Sequence, residues 1–255
     1  MDTFLLQTVD GRPAFDFQLT LIDAIEHQRI MSIRPWAEYF DFEFIDADTP
    51  IEAMEPGGRI PIGGVGFCID YMDYYYHVDY KPIALPSELM NRGRDFYSRE
   101  ICVVTDDDIK ELQRIGSKES FFLKYIEKPK VLSQVFQNAN AIFGELPKGR
   151  YIMSEEINIG AEWRAFVYKH KLVGLHPYGG DFTLFPDVDL IEDIIAEYAS
   201  SPVVYTLDIG VAGDWDNTFI IEVDDFMSCG LAGFCDKKIL PQMYRDWWKE
   251  YVSQK

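Results

Sequence analysis

This sequence predicts an α+β fold built mainly on antiparallel sheets, from two strand hairpins and a set of helices placed irregularly between strands. Residues 203–225, VVYTLDIGVAGDWDNTFIIEVDD, read as two apolar strands joined by a polar loop. Residues 162–168 and 172–176 read as a second hairpin around Lys169-His170-Lys171. Strands and helices do not alternate strictly, which a wholly parallel sheet would require.

In chain order, residues 3–7 form a strand and residues 16–26 a helix with Leu19, Ile22, Ala24 and Ile25 near one stripe, followed by a strand over 41–45. In GGRIPIGGVGFC, Gly57, Gly58, Gly63, Gly64 and Gly66 are read as turn residues, because no GKS or GxGxxG pattern follows a strand and opens a helix. The aromatic stretch DYMDYYYHVDY is read as a packed loop. Pro82, Pro86 and NRGRD mark a boundary over 81–99, dividing a small N-terminal α/β unit (1–100) from a larger one (101–255).

Thr105 caps a helix striped by Ile109, Leu112 and Ile115, with Asp106, Asp107 and Asp108 in the first turn and Gly116 at the end. A strand over 121–126 follows, then a turn and a further strand or helix over 131–143, and a strand over 149–156 running into a loop. Asp189 is read as the cap of a helix over 190–198, with Glu192 completing a capping box. HPYGGDFTLFPD is either a lid hinged at Gly179 and Gly180 or a static connection. A helix over 240–252 closes the chain, with Trp247 and Tyr251 a turn apart.

Composition narrows the function. Of 255 residues, 47% are hydrophobic, enough for one large core or two smaller ones. A formal charge of -19 works against nucleic acid as a partner, since phosphate-backbone binding needs clustered lysine and arginine. No apolar run approaches a membrane span and the N-terminus lacks signal-peptide features, so a cytoplasmic location is expected. Cys68, Cys102, Cys229 and Cys235 have no CxxC spacing and are read as buried free thiols rather than a zinc site or a disulfide framework.

Alternation along the acidic hairpin puts Asp208 on one face with Val204 and Thr206, and Glu222 and Asp224 together with Ile220 on one face of the second strand. Pairing centred on Trp215 sets Asp208 opposite Glu222. Opposed carboxylates repel, and burying them unpaired costs on the order of several kcal/mol each, so a cation is expected between them. A hard divalent ion carrying a substrate phosphate fits; a solvated acidic edge is the alternative.

Three other segments carry charge inside strand-like runs: FFLKYIEKPK with Lys124, Lys128 and Lys130; YIMSEEI ending at Ser154, Glu155 and Glu156; and AEWRAFV with Glu162 and Arg164 on one face. Together they supply cations for phosphates, acids for a metal and an acid for ribose.

The order FFLKY, SEEINIGAEWRAFVYKHKLVG, YTLDIGV, FIIEVDDFMSCGLAGF resembles the ATP-grasp superfamily, and is most similar to its clade named for one arginine and two lysines, found in bacteria and phages. The likeness runs from about Asp41 to Phe234. It implies two α+β lobes enclosing a nucleotide, preceded by an N-terminal domain. Lys124 would meet the α- and β-phosphates, Lys130 or Lys128 would be the second lysine, residues 154–156 the adenine hinge, and Glu162 would lie near ribose. Arg164 would meet the transferring phosphoryl group, and Asp208, Glu222 and Asp224 would hold magnesium.

The family's Glu-x-Asn-Asp is here Glu222-Val223-Asp224-Asp225, which leaves Asp225 as an alternative last ligand. The expected Lys-Pro pair falls at Lys128-Pro129 rather than at Lys124. The implied activity is an ATP- and magnesium-dependent carboxylate–amine ligase working through an acylphosphate on small-molecule or peptide substrates. The alternatives are a small-molecule kinase and an inactive nucleotide-binding or interaction module.

Overall fold

Among the described residues, three four-stranded sheets follow one another along the chain. The computed structural model describes residues 2–31, 40–55, 57–83, 85–128, 131–213 and 217–253.

The first sheet comprises β1 (Asp2–Val9), β2 (Arg12–Pro13), β3 (Phe40–Asp46) and β4 (Arg59–Ile62), with helices α1 (Asp16–Met31) and α2 (Val65–Tyr76). β1 pairs in parallel with β3 and β4 and antiparallel with β2. The first seven residues of the aromatic stretch, Asp70 to Tyr76, expected as a loop, instead form the C-terminal part of α2, while 77–80 lie beyond its cap, and Gly63-Gly64 does join a strand to a helix. Tyr71 and Tyr76 pack on Trp248, so burial of one helical face outweighs the weak helix propensity of tyrosine.

The second sheet is fully antiparallel, ordered β5-β8-β6-β7. Short helices α3 (Ser87–Met90) and α4 (Arg94–Tyr97) lead into β5 (Ile101–Thr105), α5 (Asp106–Ile115), β6 (Phe121–Tyr125), β7 (Ser133–Phe136) and β8 (Arg150–Ser154). Thr105 and Asp108 form the capping box of α5, and Gly116 ends it at φ 71°.

The third sheet is also antiparallel, ordered β10-β9-β11-β12. It comprises β9 (Ala161–Tyr168), β10 (Lys171–Gly180), β11 (Val204–Val211) and β12 (Thr218–Asp225), with α6 (Val188–Glu197) and α7 (Leu240–Ser253). Lys169 and His170, both at positive φ, make the tight β9–β10 turn. The cap of α6 is Asp187, two residues before the expected one, because its carboxylate accepts from the Asp189 and Leu190 amides and Val188 already begins the helix.

Gly179 and Gly180 lie in the β9–β10 ladder opposite Glu162 and Ala161. A Cβ on Gly180 would stand 2.3 Å from the Gly160 carbonyl oxygen, so glycine there permits a close backbone approach rather than a hinge. On one face of the third sheet Leu207, Ile209 and Ile220 meet Ile191 and Ile194 of α6. On the other, Phe166 and Val204 join Tyr244 and Trp247 of α7 in a core shared with Phe4 and Leu6 of the first sheet. Among the described residues no helix is long and apolar enough to cross a membrane.

The β11–β12 register contains a bulge. Asp208 pairs with Glu222 as expected, but Ile209 pairs with Ile220, so Ile221 is an extra residue. The expectation that Ile220 shares a face with Glu222 therefore fails, and Ile220 turns to the α6 core while Phe219 covers Gly210. A Cβ at Gly210 would stand 2.3 Å from the Phe219 ring. Gly210→Ala is expected to cost about 1–3 kcal/mol through overpacking, read as a lower denaturation midpoint, with Gly210→Ala/Phe219→Leu recovering part of it.

Candidate active site

A cleft of about 580 Å³ separates the second and third sheets. Ile101, Phe122 and Ile152 form an apolar wall from the second sheet, and Ile221 and Val223 face them from β12. Such a slot suits a flat, largely apolar ring with polar groups at one end.

The polar end is built from strand positions. Lys124, next to last in β6, reaches across the cleft and donates to the Glu222 carboxylate. Arg164 on β9 lies directly across from Asp208 on β11 and binds it in a fork, Nε to Oδ1 and Nη2 to Oδ2, both at 2.8 Å. Arg164 Nη1 donates to the Gly230 carbonyl at 2.9 Å, and the ring of Tyr178 covers the guanidinium at 4.2 Å. Both partners of the fork are buried, with side-chain exposures of 6% and 9%. Burial works against the charge on Arg164, but Asp208 outweighs it and raises its pKa.

Glu222 and Asp224 lie side by side on the cleft face of β12. Burial, the hydrogen bond to Glu222 and the Glu222 charge push Asp224 up to about 8. Glu222 is held below its ordinary value despite burial, by its contact with Asp224 and the charges of Lys124 and Arg164. Two adjacent carboxylates offer hard oxygen donors of the kind magnesium takes, and a cation between them would favour ionisation of both.

The three expected metal acids are not gathered as one ligand set. Both Asp208 oxygens are engaged by Arg164, and among the described residues no three acids, histidines or cysteines are arranged to hold a metal ion. Asp225 is engaged elsewhere too. Its carboxylate accepts from the Met227 amide at 2.6 Å, from Trp247 Nε1 at 2.9 Å and from the Tyr251 hydroxyl, so it anchors α7.

Of the other expected residues, Lys128, Ser154, Glu155 and Glu156 line the cleft. Ser154 is buried and accepts from Arg99, while Glu155 is held by Arg94 at 2.8 Å and by the Glu100 amide at 2.9 Å. Glu162 shares the face of Arg164 and Asp208, and burial and the Asp208 charge raise its pKa. Lys130 lies outside the described residues. Two cleft residues were not anticipated from the sequence. Arg99 stands in a segment read only as a boundary and Tyr178 in the segment read as a lid or connection, and neither belongs to a periodic pattern.

Residues 96–241 match the ATP-grasp domain model for family 2 of the clade named for one arginine and two lysines. The chain belongs to this ATP-grasp family. The whole fold is similar to D-alanine–D-alanine ligase from Bacillus anthracis, with a TM-score of 0.52 and 11% identity over 99% of this chain and 97% of that one. The same enzyme complexed with ATP gives a TM-score of 0.51 at 10% identity, covering 99% and 97% of the two chains. The ATP-grasp ligase PsnB, complexed with a minimal precursor, gives 0.50 at 8% identity over 96% of this chain and 99% of that one. No curated protein matches the chain in sequence. At these identities the likeness is one of fold.

Proposed function

We propose that this ATP-grasp protein is an ATP- and magnesium-dependent ligase that joins a carboxylate to an amine through an acylphosphate. The observation that carries the reading is the polar end of the cleft. A lysine from one sheet meets an acidic pair on the other, beside a buried arginine held in fixed orientation by its own carboxylate. In this reading residues 1–100 form the unit preceding the ATP-grasp domain, and the polypeptide near 153–157 is the hinge.

The roles follow from the chemistry. The apolar slot takes the adenine, with the backbone at 154–156 along its edge, and Glu162, two residues before Arg164 on the same face of β9 though not among the residues lining the cleft, is assigned to the ribose side. Lys124 exchanges Glu222 for the α- and β-phosphates when nucleotide enters, with Lys128 or Lys130 as the second lysine. Glu222 and Asp224 would hold magnesium together with phosphate oxygens, Asp208 serving behind Arg164. Bound there, the ion supplies neutralisation of charge on the transferring phosphoryl group. Arg164 keeps guanidinium N–H groups beyond those given to Asp208 and Gly230, and aims them at the same group. The carboxylate substrate takes the phosphoryl group, the amine attacks the acyl carbon, and ADP and phosphate leave.

Sustained ADP release that needs both a carboxylate and an amine, with an amide in the mass spectrum, is the expected outcome of a co-substrate screen in the protein's cellular extract. ADP release with a hydroxyl acceptor alone would make the protein a kinase. Nucleotide binding without ADP formation would make it a binding module. By calorimetry, Lys124→Met should weaken ATP binding about tenfold or more, the worth of a charge-assisted hydrogen bond, and unchanged affinity would remove Lys124 from the phosphate site.

A further inference from the structure

Arg99 is a buried cation that no role above uses. It stands between α4 and β5 and is 6% exposed. Among the described residues its acceptors are all neutral: Nε donates to Ser154 Oγ at 3.3 Å, Nη1 to the carbonyls of Tyr97 and Ile220 at 3.0 Å each, and Nη2 to the Ile221 carbonyl at 3.3 Å. Phe219 and Tyr97 flank the guanidinium at 5.9 Å and 5.8 Å. Burying a guanidinium without a carboxylate is costly, so its place calls for a physical account.

The account lies in its two acceptors on β12. Successive carbonyls of a regular strand point to opposite edges, so one side chain does not ordinarily hold two in a row. Ile220 and Ile221 are consecutive, and Ile221 is the extra residue of the bulge. β12 is the edge strand of its sheet, and its outer side is open to α4 and Arg99. Two outward carbonyls with no neighbouring strand to satisfy them are met by one planar fork.

The bulge decides which way the acids face. From Val211↔Thr218 to Ile209↔Ile220 the pairing runs in one register, and from Asp208↔Glu222 onward it runs one residue later. Were the first register continued, Glu222 would lie opposite Leu207 and Asp224 opposite Tyr205, turned into the apolar core beneath α6. The inserted residue instead sends both acids to the cleft, toward Lys124 and Arg164.

We propose that Arg99 is a positioning residue. It locks the Ile220–Ile221 bulge that presents Glu222 and Asp224 to the magnesium–nucleotide site, and through Ser154 it ties that strand to the hinge end of β8. The metal part of this inference rests on the reading of Glu222 and Asp224 given under Proposed function; the bulge part does not.

The test uses the full chain carrying Arg99→Met, Arg99→Lys or Arg99→Ala, with two readouts. Without metal or nucleotide, amide hydrogen exchange over residues 218–225 should quicken about tenfold or more in Arg99→Met, while the α6 and α7 amides stay near wild type. In ATP titrations, the affinity gained on adding magnesium should fall about tenfold in Arg99→Met while metal-free affinity changes less than about threefold, and guanidinium ion added to Arg99→Ala should restore part of the gain. Arg99→Lys keeps the charge but not the fork, and should resemble Arg99→Met in exchange.

Wild-type exchange over 218–225 in a folded variant overturns the proposal. So does an equal loss of metal-free and magnesium-supported affinity without guanidinium rescue, which marks a merely structural arginine. If Arg99→Met does not fold, Arg99→Lys decides by the same two readouts. A wild-type protein that shows no magnesium effect overturns the ligase reading and the metal part of the inference; the exchange result still decides whether Arg99 holds the bulge.

Discussion

Arg164→Met is expected to lose both stability and turnover, and the two losses should separate in a second variant. Asp208 is 7% exposed, and Arg164 is its forked partner. Removing the arginine strands a carboxylate that was desolvated on folding. Breaking a buried pair from one side costs about 3–5 kcal/mol, which a denaturant titration would read as a large fall in midpoint. Arg164→Met/Asp208→Leu removes both charges and fills much the same volume, so most of the stability should return. ADP release should not return, because the guanidinium proposed to meet the transferring phosphoryl group is still missing. Arg164→Lys places one ammonium where a planar fork met Asp208, Gly230 and the Tyr178 ring, and is expected to retain more stability than Arg164→Met with little of the activity. Full turnover in the stable double variant would leave Arg164 a structural residue only.

The parts of this site that alternate regularly could be read in the sequence. Asp208 inside YTLDIGV and Arg164 inside AEWRAFV are charges in otherwise apolar strands, and the structure faces them toward each other because β9 and β11 are neighbours in the sheet. Lys124 in FFLKY was legible for the same reason, although nothing in the sequence said that its first partner is Glu222 across the cleft. Periodicity cannot locate an inserted residue. The Asp208–Glu222 pairing followed from a uniform register, yet it holds only on one side of the bulge, and Ile220 went to the wrong face. Arg99 was missed because its function lies in carbonyl acceptors 121 and 122 residues away, which leave no side-chain pattern. Helix α2 was missed because glycines and tyrosines have weak helix propensity, and its reason to form is Trp248 at the far end of the chain. Asp225 reads like a ligand beside Asp224, but its carboxylate is taken by the Met227 amide, Trp247 and Tyr251, partners that no local pattern announces.

Glu222→Gln should nearly abolish magnesium-dependent ADP release while leaving the fold intact. The substitution keeps the volume and removes one charge from the acidic pair. The proposed magnesium ligand and the metal-free partner of Lys124 are lost together. A metal's stabilisation of phosphoryl charge is worth several kcal/mol, so a fall in kcat of about 100-fold or more is expected. The same variant should change how metal-free stability depends on pH. Asp224 is raised in the native protein to about 8, by burial first and by Glu222 second, against an ordinary value of 3.8. Between those values the folded chain keeps a proton that the unfolded chain has released, so this group's contribution to stability falls as pH rises through the window. In Glu222→Gln the repulsion is gone and burial remains, and the decline from pH 4 to pH 8 should become shallower. Added magnesium should flatten the wild-type decline as well, because it favours the ionised pair, and should do less in the variant. Thermal midpoints at pH 5 and pH 8, with and without magnesium, give all four comparisons. An identical magnesium response in the two proteins would remove Glu222 from the metal site, whatever happened to turnover.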